Sequence, residues 1–126
     1  MRRVLVLVGA LVAAGLSGCG DDGERLTVYS GRTSDLIGPL LERFADETGI
    51  SIDVRYDDTA NLALLIDTEG DRSPADVFIS QSPGAVAFLE ERDRLRPLPE
   101  ETLAEVPEED RSSDGTWVGL TAIDAS

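Results

Sequence analysis

Residues 26–56 read LTVYSGRTSDLIGPLLERFADETGISIDVRY, and the change of hydrophobic period inside this stretch decides the fold. Its first five residues, Leu26-Thr27-Val28-Tyr29-Ser30, suit a short strand that ends at Gly31. Leu36, Ile37, Leu40, Leu41 and Phe44 follow at helical spacing and share one face of a helix that Gly49 stops. Pro39 requires that this helix either start late or bend. From Ile50 to Tyr56 apolar and polar residues alternate without exception, the pattern of a sheet-edge strand with one wet face.

The same alternation of periods continues downstream. Asp57-Asp58-Thr59 offers N-cap oxygens to a second helix, with Leu62, Leu65 and Ile66 on its buried side and Gly70 at its end. Asp76-Val77-Phe78-Ile79-Ser80 is too short for a helix and reads as a strand buried on both faces. Ser82 before Pro83 is an N-cap followed by proline at the first helical position, and Val86, Phe88 and Leu89 give that third helix an apolar side. Strand and helix in strict alternation predict an α/β unit of parallel strands joined by right-handed crossover helices. Beyond Leu95 the pattern thins to a short helical stretch over residues 100–106, a turn at Ser113-Asp114-Gly115-Thr116 and a last strand at Trp117-Val118-Gly119-Leu120-Thr121.

Upstream of Leu26 the chain carries an address rather than a fold. Arg2 and Arg3 precede an apolar run from Val4 to Leu16, shorter than the roughly 20 residues that a membrane span needs. Leu16-Ser17-Gly18-Cys19 resembles the bacterial lipobox, which implies a lipoprotein signal peptide over residues 1–18 and a lipid on the Cys19 thiol. Residues 19–25 are the expected flexible tether, polar and glycine-rich. The expected location is outside the cytoplasm, in the periplasm or at the cell exterior, with the lipid as the sole membrane attachment.

Composition narrows the function classes. The 126 residues are 41% hydrophobic and 29% charged, within the soluble globular range. Cys19 is the sole cysteine, so no internal disulfide can form. Without Arg2 and Arg3, nine arginines face 25 acids, a net charge of −16 that repels nucleic acid. With neither histidine nor lysine, the chain excludes Ser-His-Asp chemistry and histidine-ligated metals, and no acid and base pair suggests an enzyme.

In an open parallel sheet, ligands bind at the carboxyl ends of the strands, where helix N-termini point free N–H groups outward. The loop Ser30-Gly31-Arg32-Thr33-Ser34 offers hydroxyls and a guanidinium at a helix start, a set that can grip an oxyanion. Turn chemistry alone explains the same residues, with Ser34 as a cap and Arg32 as a solvated surface group. Gln81 and Ser82 lie on the loop after the third strand. Tyr29, Tyr56, Asp57 and Asp58 are the oxygen donors open to a hard cation, against a packing role for the tyrosines and capping for the aspartates. The acids at 100, 101, 105 and 108–110 read as a solvated face.

Four blocks in order, Val28-Tyr29-Ser30-Gly31-Arg32, FADETGI at 44–50, SPADVF at 73–78 and Asp114-Gly115-Thr116-Trp117-Val118-Gly119, resemble the first lobe of periplasmic ferric-iron-binding proteins, the substrate-binding components of ABC importers. The resemblance implies the type II clamshell fold, with residues 26–122 as an incomplete N-terminal lobe and residues 123–126 as a divergent terminus. It implies capture of ferric iron without bond chemistry, with permease and ATPase subunits as partners of a monomer. Thr33 stands where some members carry a ligating histidine, and Gln81 where they carry a glutamate. The resemblance is to a Tyr-Ser-Gly-Arg subgroup, which implies a synergistic anion such as carbonate with Arg32 as its charge partner. The tyrosine pair that the second lobe supplies in that family is missing, so the chain reads as truncated. Capture of another small anion, such as a phosphonate, and a fragment without function are the alternatives.

Overall fold

The computed structural model describes residues 23–120. The signal peptide expected over residues 1–18, Cys19 and residues 121–126 lie outside them. Three parallel strands, β1 (Arg25–Ser30), β2 (Ser51–Tyr56) and β3 (Val77–Ile79), form one sheet in the order β2-β1-β3. Helix α1 (Ser34–Thr48) links β1 to β2, and α2 (Thr59–Glu69) links β2 to β3. After β3 come α3 (Pro83–Glu90) and the short α4 (Glu100–Ala104). The expected α/β class is therefore the observed one.

The strand order and the handedness of crossovers fix the helix faces. A right-handed connection from β1 to β2 and another from β2 past β1 to β3 run in opposite directions across the sheet, so α1 and α2 lie on opposite faces. Side-chain alternation agrees with this. Tyr29 and its register partner Phe78 join Leu62, Ala63, Ile66 and Leu89 in the core beneath α2 and α3. Val28 points to the other face, in register with Val54 and Val77.

Local chemistry sets the element ends. The Asp58 carboxylate accepts from the N–H groups of Ala60 and Asn61 and starts α2, as expected of this acidic pair. Gly49 ends α1 at φ 73°, a left-handed conformation that favours glycine, and its N–H donates to the Ala45 carbonyl. Pro39 sits inside α1, which begins at Ser34 and runs through the proline, so the late start does not occur. Gly38 before it has no Cβ to meet the proline ring.

Four expectations are corrected. Arg25, assigned by sequence to the tether, is the first residue of β1, where it pairs with Ser51 and its guanidinium meets Asp53 at 2.6 Å. Strand β3 is three residues long and is not buried on both faces: Val77 is 41% exposed. Helix α1 packs on β2, at the opposite side of the sheet from β3, and leaves Val77 uncovered. Asp76 still binds β1, with its N–H donating to the Thr27 carbonyl and its carboxylate accepting from the Thr27 N–H.

The apolar residues of α1 do not form one buried face. Ile37 is buried, whereas Leu36, Leu40 and Phe44 are 62%, 58% and 39% exposed along a flank that nothing among the described residues covers. Residues 117–120 form no strand. Arg111 and Val118 make an isolated antiparallel bridge around the expected turn, and the hydroxyls of Ser112 and Thr116 both donate to the Glu90 carboxylate, tying that turn to α3. One bridge, closed by the Ser112 N–H on the Trp117 carbonyl and the Gly119 N–H on the Asp110 carbonyl, is too short for a ladder.

The contrast between buried and bare leucines is measurable by urea unfolding. Leu62 is fully buried, so Leu62→Ala should cost about 2–5 kcal/mol. Leu40→Ala on the open flank should stay within about 0.5 kcal/mol of the parent chain.

Candidate functional site

The carboxyl ends of the strands bring three loops together, and backbone bonds already join them. The Gly31 N–H donates to the Ile79 carbonyl at 2.8 Å and the Asp57 N–H to the Ser30 carbonyl at 3.2 Å. An open depression of about 360 Å³ lies beside them, lined by Gly31, Arg32, Thr33, Tyr56, Asp57 and Asp58.

The first loop is shaped by Ser30. Its fully buried hydroxyl donates to the Arg32 carbonyl at 2.9 Å and accepts from the Arg32 N–H at 3.1 Å, closing a two-residue turn. Ser80 and Ser82 repeat the device after β3 at 2.7 and 3.0 Å, and the Ser82 hydroxyl caps α3 by accepting from the Ala85 N–H. The Arg32 guanidinium makes no ion pair among the described residues, although two aspartates share its pocket.

Helix α1 starts beside that guanidinium without a side-chain cap. Thr33 is the N-cap residue but its hydroxyl makes no capping bond, and Ser34 is the first helical residue rather than the cap. Helices α2 and α3 are capped by Asp58 and Ser82. The two aspartates of the pocket are engaged locally. Asp57 accepts from the Asp58 N–H at 2.7 Å and the Asn61 amide at 3.3 Å. These two bonds, the first above all, and the nearby Arg55 charge hold its carboxyl below the usual aspartate range against a small opposing effect of burial.

Tyr56 reaches the pocket, with its hydroxyl near Gly38 of α1. Tyr29 does not line it. Its ring is buried under α2, and its phenol lies 3.2 Å from both carboxylate oxygens of Glu69, at the end of α2 remote from the pocket. Burial foremost, then the hydrogen bond and charge of Glu69, push the Tyr29 phenol up against the pull of Arg55. The neutral phenol is favoured there. Among the described residues no group of three or more His, Cys, Asp or Glu side chains could hold a metal ion.

Residues 26–107 match the family model described as "Bacterial extracellular solute-binding protein". The chain belongs to this family. The similarity to ferric-iron-binding proteins read from the sequence is borne out among its relatives. The "Major ferric iron-binding protein" of Neisseria gonorrhoeae is 36% identical over 96 residues, which are 76% of this chain and 29% of that protein. The structure of iron-bound HitA from Pseudomonas aeruginosa superposes with a TM-score of 0.76 at 35% identity, covering 78% of this chain and 32% of that one. A Trichodesmium protein (IdiA, FutA) in complex with iron and citrate gives a TM-score of 0.70 at 30% identity, over 75% of this chain and 30% of that one. The chain thus spans about a third of the length of these relatives. A family of solute-binding proteins accords with the non-enzymatic role expected from the sequence.

Thr59, offered by the sequence only as an N-cap oxygen, is the first residue of α2 and meets the first loop. The Thr59 hydroxyl stands 1.9 Å from where a Cβ on Gly31 would be, so the glycine is required by close approach. Gly31→Ala should therefore lower stability by about 1–3 kcal/mol in urea unfolding, with part of the loss recovered when Thr59→Ala is added.

Proposed function

We propose that this chain carries the first-lobe part of an extracytoplasmic solute-binding protein that captures ferric iron together with a small oxyanion for an ABC importer, whose permease and ATPase subunits are its partners. The observation that carries this reading is the Arg32 guanidinium, unpaired among the described residues and set in the strand-end pocket beside the uncapped start of α1. A cation left without a partner in a chain of net charge −14 has many acids available to it, so its freedom favours an anionic ligand. The iron-binding names of the relatives, and citrate beside iron in one of them, support iron with an anion over iron alone.

Each contributor has a role. Gly31 brings the backbone close, Thr33 and Ser34 offer hydroxyls and the free N–H groups of the helix start, and Arg32 supplies charge and a planar donor fork. Ser30 and Ser82 act through the turns they close, and carbonate fits the fork as a planar acceptor. Tyr56 is the oxygen donor of this pocket nearest to hand for the iron, while Asp57 and Asp58 are engaged in the turn and cap that start α2. In this reading residues 25–122 belong to the lobe, residues 1–18 direct export, and a lipid on Cys19 at the head of a short tether holds the monomer at the membrane. A second reading, capture of another oxyanion such as a phosphonate, is favoured by the same guanidinium, which has no intrinsic preference for a metal complex.

Bicarbonate or citrate added to the isotope-labelled chain should shift the amide resonances of residues 31–34. Arg32→Ala should weaken that binding about ten- to hundredfold, the loss of one charge-assisted bond. Equal affinity in the variant would remove Arg32 from the site. Tightening by added ferric iron selects the iron reading, and tight phosphonate binding that iron leaves unchanged selects the second. For the anchor, mass spectrometry of the membrane-bound protein should find a diacylglycerol adduct at Cys19, and an unmodified amino terminus would refute it.

A further inference from the structure

We propose that Gln81 and Thr59 are positioning residues that hold the Gly31-Arg32 peptide, and through it the Arg32 guanidinium, at the mouth of the pocket. The Gln81 side chain crosses from the loop after β3 to the loop after β1, where its amide Nε2 donates to the Gly31 carbonyl at 2.6 Å. The backbone N–H of the same residue donates to the Thr59 hydroxyl at 3.2 Å. One glutamine therefore connects all three strand-end loops, and the third corner is closed by contact, since Thr59 fills the space above Gly31.

The chemistry of the three residues suits this task. Gly31 has no side chain to anchor it, so the orientation of the peptide leading into Arg32 depends on what its N–H and C=O meet. The Ser30 hydroxyl accepts from its N–H, that of Arg32, and the Gln81 amide donates to its carbonyl, that of Gly31, while the Ile79 carbonyl holds the preceding peptide through the Gly31 N–H. Glutamine has the reach and a neutral donor; glutamate at neutral pH could only accept, and would face the Gly31 oxygen with a second negative group. Thr59 needs its hydroxyl, which accepts from the Gln81 N–H and is also the atom that stands closest over Gly31. Gln81 itself is exposed, so a bond there adds little to global stability, and its effect falls on loop geometry.

Two readouts on the full chain separate this role from others. The first is the order of the Gly31 and Arg32 amides in ligand-free protein, measured by heteronuclear NOE. The second is affinity for sulfate at pH 7.5, followed by the resonances of residues 31–34. It rests on the anion reading above, whereas the first does not.

Gln81→Ala and Gln81→Glu should both lower the NOE at Gly31 and Arg32 and weaken sulfate binding about tenfold, with the urea midpoint unchanged. Thr59→Ser should keep both properties, and Thr59→Val, which retains the bulk but not the acceptor, should lose them. Weaker sulfate binding by Gln81→Ala with the loop still ordered would make Gln81 a ligand and overturn the proposal. So would a Gly31-Arg32 segment as rigid in Gln81→Ala as in the parent. If the parent chain binds no sulfate, the anion reading falls, and the order of the two amides across the four variants still decides the positioning role.

Discussion

Strand β1 is hydrogen-bonded along both edges, and that double pairing is the constraint on which the rest of the fold depends. Because β2 and β3 both run parallel to β1, each connection must climb back over the sheet, and handedness sends α1 to one face and α2 to the other. The central strand then has both faces covered at its carboxyl-terminal half, where Val28, Tyr29 and Ser30 are all buried. Tyr29 can be sunk in this way because Glu69 receives its hydroxyl; without that acceptor the buried phenol would be left unsatisfied.

The same parallelism collects the polar chemistry at one end of the sheet. All strands finish on the same side, so their loops meet there and the helix starts point into the meeting place. What distinguishes the first loop from the other two is how little of its polarity is spent. Asp57, Asp58 and Ser82 are committed to turns and caps, whereas the Arg32 guanidinium and the start of α1 are left open toward the pocket. The loop is nevertheless fixed at its backbone by Ser30, Ile79 and Gln81. A fixed backbone that carries an uncommitted charge loses less freedom when a ligand arrives.

Much of the scaffold was legible in the sequence because it rests on local periodicity. The alternation at residues 50–56, the caps at Asp58 and Ser82 and the stop at Gly49 each act within a few residues of themselves. The exposure of Val77, Leu36, Leu40 and Phe44 was not legible, since it depends on which neighbour packs over them and a hydrophobic pattern does not name the neighbour. The strand-end loops were readable from the general rule for parallel sheets, and Arg32 and Thr33 line the depression that opens there. Gln81 illustrates the limit. Its loop was identified, but the bond to Gly31 joins residues 50 apart in sequence and exists only once the three strands are in register.

The flank of α1 and the outer edge of β3, both uncovered among the described residues, bear on how copies of this unit behave in company. An apolar stripe and an unpaired strand edge are the surfaces on which folded domains stick to one another. Set against them is the excess of 25 acids over 11 basic residues, a charge that keeps like molecules apart at long range. That repulsion acts over only about 8 Å at physiological ionic strength and shrinks as salt rises, whereas apolar attraction does not. Colloidal stability of the unit is thus a contest between its surface charge and its uncovered hydrocarbon, with ionic strength deciding the winner.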